Sequence, residues 1–69
     1  MKEVDARGLS CPQPVILATD AIKEGEFPFT VMVDSVTSRN NVERIARKKG
    51  CSVSAAESGS GFTLTIGKG

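Results

Sequence analysis

Four short stretches of alternating polar and apolar residues constrain the fold of this chain most, because such alternation is typical of β-strands with one buried face. They cover residues 2–6, 28–34, 51–56 and 62–66. The second stretch is the clearest, since its alternate residues Phe29, Val31 and Val33 are aromatic or β-branched. The glycine-containing segment 57–61 predicts a turn that joins the last two strands.

Two segments with helical periodicity lie between these strands. Residues 12–24 carry apolar side chains on one face, and Gly25 is suited to end the helix in a left-handed conformation. Residues 41–49 form the second predicted helix, for which Asn40 is the expected N-cap and Glu43 completes a capping box. Each strand is therefore separated from the next by a helix or by a turn.

The predicted order β-α-β-α-β-β defines an α+β fold. Strand–helix–strand crossovers are right-handed in nearly all proteins, which places both helices on one face of a four-stranded mixed sheet. The expected architecture is a two-layer α/β sandwich whose uncovered sheet face carries Ser and Thr side chains. Residues 1–69 are expected to form one domain, either complete or excised from a longer two-domain protein.

The charge balance and the residue types present argue against several classes of function. Nine Lys and Arg residues against eight Asp and Glu residues give a net charge of +1, without the basic excess of a general nucleic-acid binder. The chain has no histidine, which removes the Cys–His pair of thiol hydrolases, and its two cysteines cannot fill a closed zinc site. We therefore expect no metal and no cofactor. The absence of a long apolar run or a hydrophobic N-terminal segment favours a cytoplasmic protein without membrane contact, and we expect a monomer.

The Cys-Pro-Gln-Pro stretch at residues 11–14 is the strongest candidate for chemistry. Cys11 is the predicted N-cap of the first helix, with Pro12 at the first helical position, where proline is favoured. Pro14 offers no N–H to the sulfur, which is left with the Gln13 N–H and the field of the helix N-terminus. That field lowers a thiol pKa from its usual value of about 8.5. Such a thiol can accept a group and pass it on. The alternative is a small residue that is merely tolerated at a helix cap.

The segment before the cysteine is expected to shape its loop. Gly8 permits a tight bend, and Arg7 would add positive charge if the loop brings it near the sulfur. The supporting residues of the predicted site are those of the motif and of this loop: Pro12, Pro14, Asp5, Arg7, Gly8, Leu9 and Gln13.

Residues 5–14, Asp-Ala-Arg-Gly-Leu-Ser-Cys-Pro-Gln-Pro, resemble the signature of the TusA/SirA-like sulfur-carrier family, Asp-x-x-Gly-Leu-x-Cys-Pro-x-Pro, and the likeness extends over residues 2–67. The resemblance implies that Cys11 accepts a persulfide sulfur from a cysteine desulfurase or another sulfur-relay protein. It also implies that the sulfur is relayed to an acceptor, so that the protein is a carrier rather than a self-sufficient enzyme.

Other positions resemble one branch of this family more than another. Asp34, the segment 41–44 and Gly50 look most like the YedF branch, whose members usually carry a second domain and are associated with selenium metabolism. The sulfur-relay branch often has Asp-Ile early in the second helix and Gly-His after it, where this chain has Asn41-Val42 and Gly50-Cys51. In the best-known case the sulfur-relay branch supplies sulfur for tRNA thiolation. These departures therefore weigh against an assignment to tRNA thiolation in particular.

Two further features have both a structural and a functional interpretation. Cys51 shares a strand face with Val53 and Ala55, which favours a place in the core, although it could also be a resolving thiol for Cys11. The cationic side chains of the second helix region form either a solvated face or a docking surface for an acidic partner protein. They are Arg39, Arg44, Arg47 and Lys48.

Three functions are compatible with these observations. A sulfur carrier is the favoured hypothesis. A non-catalytic interaction or regulatory domain of the YedF type is the first alternative, and it would bind its partner whether or not the Cys11 thiol is present. An RNA-binding module is the second alternative, against which the near-neutral charge argues.

Overall fold

The computed structural model describes residues 2–9 and 13–69. Its elements follow the predicted order β-α-β-α-β-β, which is thereby confirmed. They are β1 (Lys2–Asp5), α1 (Gln13–Glu24), β2 (Phe29–Val33), α2 (Val36–Lys48), β3 (Cys51–Ser58) and β4 (Gly61–Lys68).

The four strands form one mixed sheet in the order β1-β2-β4-β3. β1 and β2 are parallel, with Val4 opposite Val31, and β4 runs antiparallel to both β2 and β3. The helices α1 and α2 pack against each other and against the sheet. The predicted α+β sandwich, with two helices on a four-stranded sheet, is confirmed.

The core lies between the sheet and the two helices. Its largest fully buried side chains come from β2, from β4 and from the middle of α2: Phe29, Leu64, Ile66, Val31, Val33 and Val42. The intervening residues Thr30 and Thr65 pair with each other on the opposite face of the sheet. The alternation seen in the sequence thus separates a buried face from a hydroxyl-bearing face.

The second helix begins earlier than the sequence pattern predicts. Its N-cap is Ser35, whose side chain accepts a hydrogen bond from the Ser38 backbone N–H at 3.0 Å. The predicted cap Asn40 lies inside the helix, so the predicted capping box with Glu43 is wrong. The first turn holds the buried residue Ser38 one helical turn before Val42, and this packing extends the helix through a segment without an apolar stripe.

The terminal hairpin is longer and its turn is tighter than expected. Ser58 pairs with Gly61, so the turn contains only Gly59 and Ser60 rather than residues 57–61. Gly59 has a φ of +59° at the first central position, where a two-residue type II′ turn requires glycine. Ala55, which shares a strand face with Cys51 and Val53, pairs with Leu64 and is itself exposed.

Neither helix in the described part of the chain is both long and apolar enough to cross a lipid bilayer.

Candidate functional site

The candidate site lies at the carboxyl ends of the parallel strands β1 and β2. The chain leaves β1 through residues 6–9 and enters α1 at Gln13. The connection from β2 to α2, residues 34–35, leaves the sheet at the same end because the two strands are parallel. Ligand and reaction sites of open α/β sheets commonly form at such an end.

Cys11 and Pro12 lie outside the described residues, and their predicted roles stay predictions. The structure does describe both flanks of this motif. Residues 5–9 precede it, and Gln13 and Pro14 follow it. The geometry of these flanks determines where the chain between them starts and ends.

Asp5 and Arg7 form a bidentate ion pair at the start of the loop. Arg7 Nε donates to Asp5 Oδ1 at 3.0 Å, and Arg7 Nη2 donates to Oδ2 at 3.0 Å. The Arg7 backbone N–H also donates to Oδ1, at 3.1 Å. The side-chain hydrogen bonds from Arg7, followed by the one from its backbone, lower the pKa of Asp5 to about 2. The same pair raises the pKa of Arg7.

This ion pair bears on the electrostatic role predicted for Arg7, which stays a prediction. Its charge is compensated at hydrogen-bond distance by Asp5, and the Asp34 carboxylate also acts on it. One guanidinium and two carboxylates carry a net charge of −1. The side chains of Asp5, Arg7 and Asp34 together therefore carry no net positive charge, and the hydrogen bonds between Arg7 and Asp5 join the two ends of the turn 5–7.

Gly8 is held by a residue from the other strand connection. Its backbone N–H donates to Asp34 Oδ2 at 2.7 Å. Its φ of +76° lies in the left-handed region, which favours glycine. Two residues before Gly8, the Ala6 N–H donates to the Met32 carbonyl oxygen at 2.8 Å. This bond extends the pairing of β1 with β2 by one residue.

Sequence reasoning gave Asp34 no role in the site. Its signal was present, since an aspartate directly after a buried strand lies at the carboxyl end of that strand. The bond to Gly8 joins residues 26 positions apart and depends on the parallel pairing of β1 with β2. Gly61 was missed for the same reason. A Cβ at Gly61 would lie 2.4 Å from the Val33 carbonyl oxygen and 3.2 Å from the Asp34 Cα, so β4 packs closely against the end of β2.

Leu9 and Pro14 anchor the chain on either side of the motif. Leu9 is half-buried against the core, and Pro14 is fully buried although it is the second residue of α1. Proline in the first turn of a helix loses no intrahelical hydrogen bond, because the first N–H groups have no partner there. Pro14 thus has a packing role in addition to the conformational role predicted from the sequence, whereas Gln13 is exposed.

An open apolar groove adjoins the start of α1. It has a volume of about 270 Å³ and is lined by Leu9, Gln13, Ile16 and Leu17. Ile16 keeps 51% of its surface exposed.

The cationic residues of α2 fall into two groups. Arg39 is half-buried, its guanidinium carbon lies 5.0 Å from the centre of the Phe62 ring, and its Nη2 donates to Asn40 Oδ1 at 3.1 Å. Its contact with Phe62 is a cation–π interaction on the core side of the sheet. Arg44, Arg47 and Lys48 are exposed. The structure therefore separates Arg39 from the other three residues of the predicted docking surface.

Cys51 lies at the other end of the sheet from the candidate site. It is the first residue of β3 and pairs with Lys68, whereas Asp5 aligns across the sheet with Met32, Thr63 and Ala56. Cys51 is half-buried and packs against the core. Along a strand that rises about 3.3 Å per residue, the five steps from Ala56 to Cys51 correspond to about 17 Å. This position favours the packing interpretation of Cys51.

The family model of the sulfurtransferase TusA matches residues 2–68, so the chain belongs to the TusA sulfurtransferase family. The chain is also similar to the SirA-like protein from Desulfitobacterium hafniense, for which a crystal structure is known. The two share 33% sequence identity and superpose with a TM-score of 0.90, over 100% of this chain and 99% of the other. A comparison with curated proteins finds no match. The predicted membership of the TusA/SirA-like family is confirmed.

Proposed function

We propose that the protein is a sulfur carrier that holds a persulfide on Cys11. The observation that carries this proposal is the complete Asp-x-x-Gly-Leu-x-Cys-Pro-x-Pro pattern at residues 5–14 in a chain that belongs to the TusA family. The anchored flanks of the motif support it, because a group that is received and passed on must be presented at a defined place on the surface.

The transfer requires no oxidant or cofactor. The Cys11 thiolate attacks the outer sulfur of the persulfide on a cysteine desulfurase or another sulfur-relay protein. A new sulfur–sulfur bond forms at Cys11 while the bond within the donor persulfide breaks, and the donor cysteine leaves as a thiolate. An acceptor thiolate then attacks the outer sulfur on Cys11 in the same way, which returns Cys11 to its thiolate form.

The described surroundings contain few groups that could turn over a substrate unaided. Asp5 is held by Arg7 and Asp34 by the Gly8 N–H. The described residues contain no cluster of three His, Cys, Asp or Glu side chains that could hold a metal ion. A carrier that depends on partner proteins for loading and unloading fits this composition.

Intact-protein mass spectrometry after incubation with a cysteine desulfurase and cysteine tests the proposal. Wild type and Cys51→Ser should gain one sulfur mass, and Cys11→Ser should not, while all three keep the same circular dichroism spectrum. A Cys11→Ser protein that gains the sulfur normally would contradict the carrier role. An absence of loading in every variant, with a desulfurase active on a control carrier, would favour the interaction-domain alternative.

The branch of the family and the cargo form the finer part of the proposal. The YedF-like positions Asp34 and Gly50 motivate a parallel incubation with a selenium donor, and a gain of selenium mass on Cys11 would identify a selenium carrier. We place the protein in the cytoplasm and propose docking of an acidic partner on the exposed residues Arg44, Arg47 and Lys48.

A further inference from the structure

We propose that Asp34 is a positioning residue for the cysteine loop and that it acts through its hydrogen bond to the Gly8 backbone N–H. The functional consequence rests on the proposed sulfur-carrier role of Cys11. The hydrogen bond itself, at 2.7 Å between Gly8 N and Asp34 Oδ2, is independent of that role.

Two consecutive backbone N–H groups of the loop are each held by a different carboxylate. The Arg7 N–H donates to Asp5, which ends β1, and the Gly8 N–H donates to Asp34, which follows β2. The bond to Asp5 is local, since donor and acceptor are two residues apart. The bond to Asp34, in contrast, ties Gly8 to the connection between β2 and α2. Charge-assisted hydrogen bonds of this kind are stronger than neutral ones.

The backbone of Asp34 is fixed by its neighbours in the chain and in the sheet. The preceding residue, Val33, is fully buried in the core, and the following residue, Ser35, is the N-cap of α2. Gly61 approaches the Asp34 backbone so closely that a residue with a side chain would not fit there without a shift of the backbone. The Asp34 backbone is therefore confined, and its carboxylate provides a fixed reference for Gly8.

The position of Gly8 matters because Cys11 follows only three residues later. Consecutive Cα atoms are 3.8 Å apart, so a shift at Gly8 is passed to the cysteine with few bonds to absorb it. The structure provides a second anchor, Leu9, on the same side of the motif and Pro14 on the other. Leu9 and Pro14 limit the depth of the chain against the core, whereas Asp34 fixes the direction in which the loop leaves the sheet.

The side chain of Asp34 is exposed, and this exposure separates a positioning role from a structural one. Water can replace the carboxylate as a partner for the Gly8 N–H when Asp34 is truncated, so the fold should lose little stability. The loop, in contrast, loses the hydrogen bond that joins Gly8 to the β2–α2 connection, while the bond from Ala6 to Met32 remains. Asp34→Asn provides a conservative variant, because an amide oxygen can still accept the bond while the charge is removed.

The experiment uses a Cys51→Ser background, in which Cys11 is the only thiol. The first readout is hydrogen exchange of the Gly8 amide by NMR, which reports the bond. The second is the rate of Cys11 alkylation by iodoacetamide as a function of pH, which reports how the thiol is presented without any sulfur donor. The variants are Asp34→Ala and Asp34→Asn, with Asp20→Ala as a matched control on an exposed carboxylate of α1.

We expect Asp34→Ala to expose the Gly8 amide to exchange and to change the Cys11 alkylation rate by about tenfold, since a misplacement of about 1 Å can cost up to about 100-fold in a reaction. Asp34→Asn should restore most of both readouts, and Asp20→Ala should match the background protein. Unchanged exchange and alkylation in Asp34→Ala would overturn the proposal. An Asn variant as defective as the Ala variant would also overturn it, because charge rather than the hydrogen bond would then be responsible.

Sulfur loading of the same variants separates this inference from the proposed function. If the background protein accepts no sulfur while Asp34→Ala alters exchange and alkylation as expected, the carrier role fails and the positioning role stands. If the background protein is loaded and Asp34→Ala equals it in loading rate, exchange and alkylation, the positioning role fails and the carrier role stands.

Discussion

Replacement of Gly61 by alanine tests whether β4 supports the candidate site. The added Cβ would lie 2.4 Å from the Val33 carbonyl oxygen and 3.2 Å from the Asp34 Cα, both of which are backbone atoms that cannot rotate away. Forcing an extra carbon into a packed position costs roughly 1–3 kcal/mol. The smaller conformational entropy of unfolded alanine returns about 0.4–1 kcal/mol. We expect a net loss of about 1–2 kcal/mol in the free energy of unfolding.

Gly67→Ala is the matched control in the same strand. There the added Cβ would lie 2.9 Å from Ser52 Oγ, a side-chain atom that can move to another rotamer. This variant should stay within about 0.5 kcal/mol of wild type, as surface substitutions without a special mechanism do.

Thermal unfolding followed by circular dichroism distinguishes the two variants. A loss of 1 kcal/mol lowers the Tm of a domain of this size by roughly 4–8 °C, so Gly61→Ala should unfold about 5–15 °C below wild type. The Gly8 amide of Gly61→Ala should also exchange faster, because the displaced backbone carries Asp34 with it. Equal Tm values for Gly61→Ala and Gly67→Ala would refute the reasoning that the end of β2 is tightly confined by β4.

The remaining predictions concern the helix start, the ion pair and the cationic surface. Ser35→Ala should cost about 1 kcal/mol in urea unfolding because it removes the observed N-cap, and Asn40→Ala should cost less than about 0.5 kcal/mol; the reverse order would contradict the cap assignment. The lowered pKa of Asp5 means that its stabilising effect is present above about pH 4 and is lost as the pH falls toward 2. Asp5→Asn should therefore weaken the pH dependence of the Tm in that window, and an unchanged profile would count against the pair. Arg47→Glu combined with Lys48→Glu should slow sulfur loading and reduce its salt dependence, whereas unchanged loading would identify a solvated face.

The sheet was predictable from the sequence because its signal is local. Alternation places Phe29, Val31 and Val33 on one face whatever the neighbouring strands are, and the structure buries all three. The start of α2 was not predictable in the same way. Ser35 and Asn40 are both good N-cap residues, and the burial of Ser38 in the first turn, which favours the earlier start, is a tertiary feature.

The sequence predicted those parts of the candidate site that are close together in the chain, but not the contacts between residues from different strands. The motif identified the loop, and Asp5 and Arg7 are close enough in sequence for their pairing to be expected from proximity. Asp34 and Gly61 come from other strands, and their relation to the loop depends on the parallel register of β1 with β2 and on the antiparallel register of β4. Contacts of this kind follow from the assembled sheet rather than from any local pattern.

The charges of the loop limit how the proposed carrier can activate its thiol. Arg7 is the only cation in the described segment 5–9, and Asp5 compensates it at hydrogen-bond distance while Asp34 adds a further negative charge nearby. The N-terminus of α1 remains as the source of positive potential, and Pro14 removes one N–H group from it. We therefore expect the reactivity of Cys11 to depend mainly on how the thiol is presented to the partner persulfide. The hydrogen bonds that hold the loop should then affect the transfer rate more than charged side chains that favour ionisation of the sulfur.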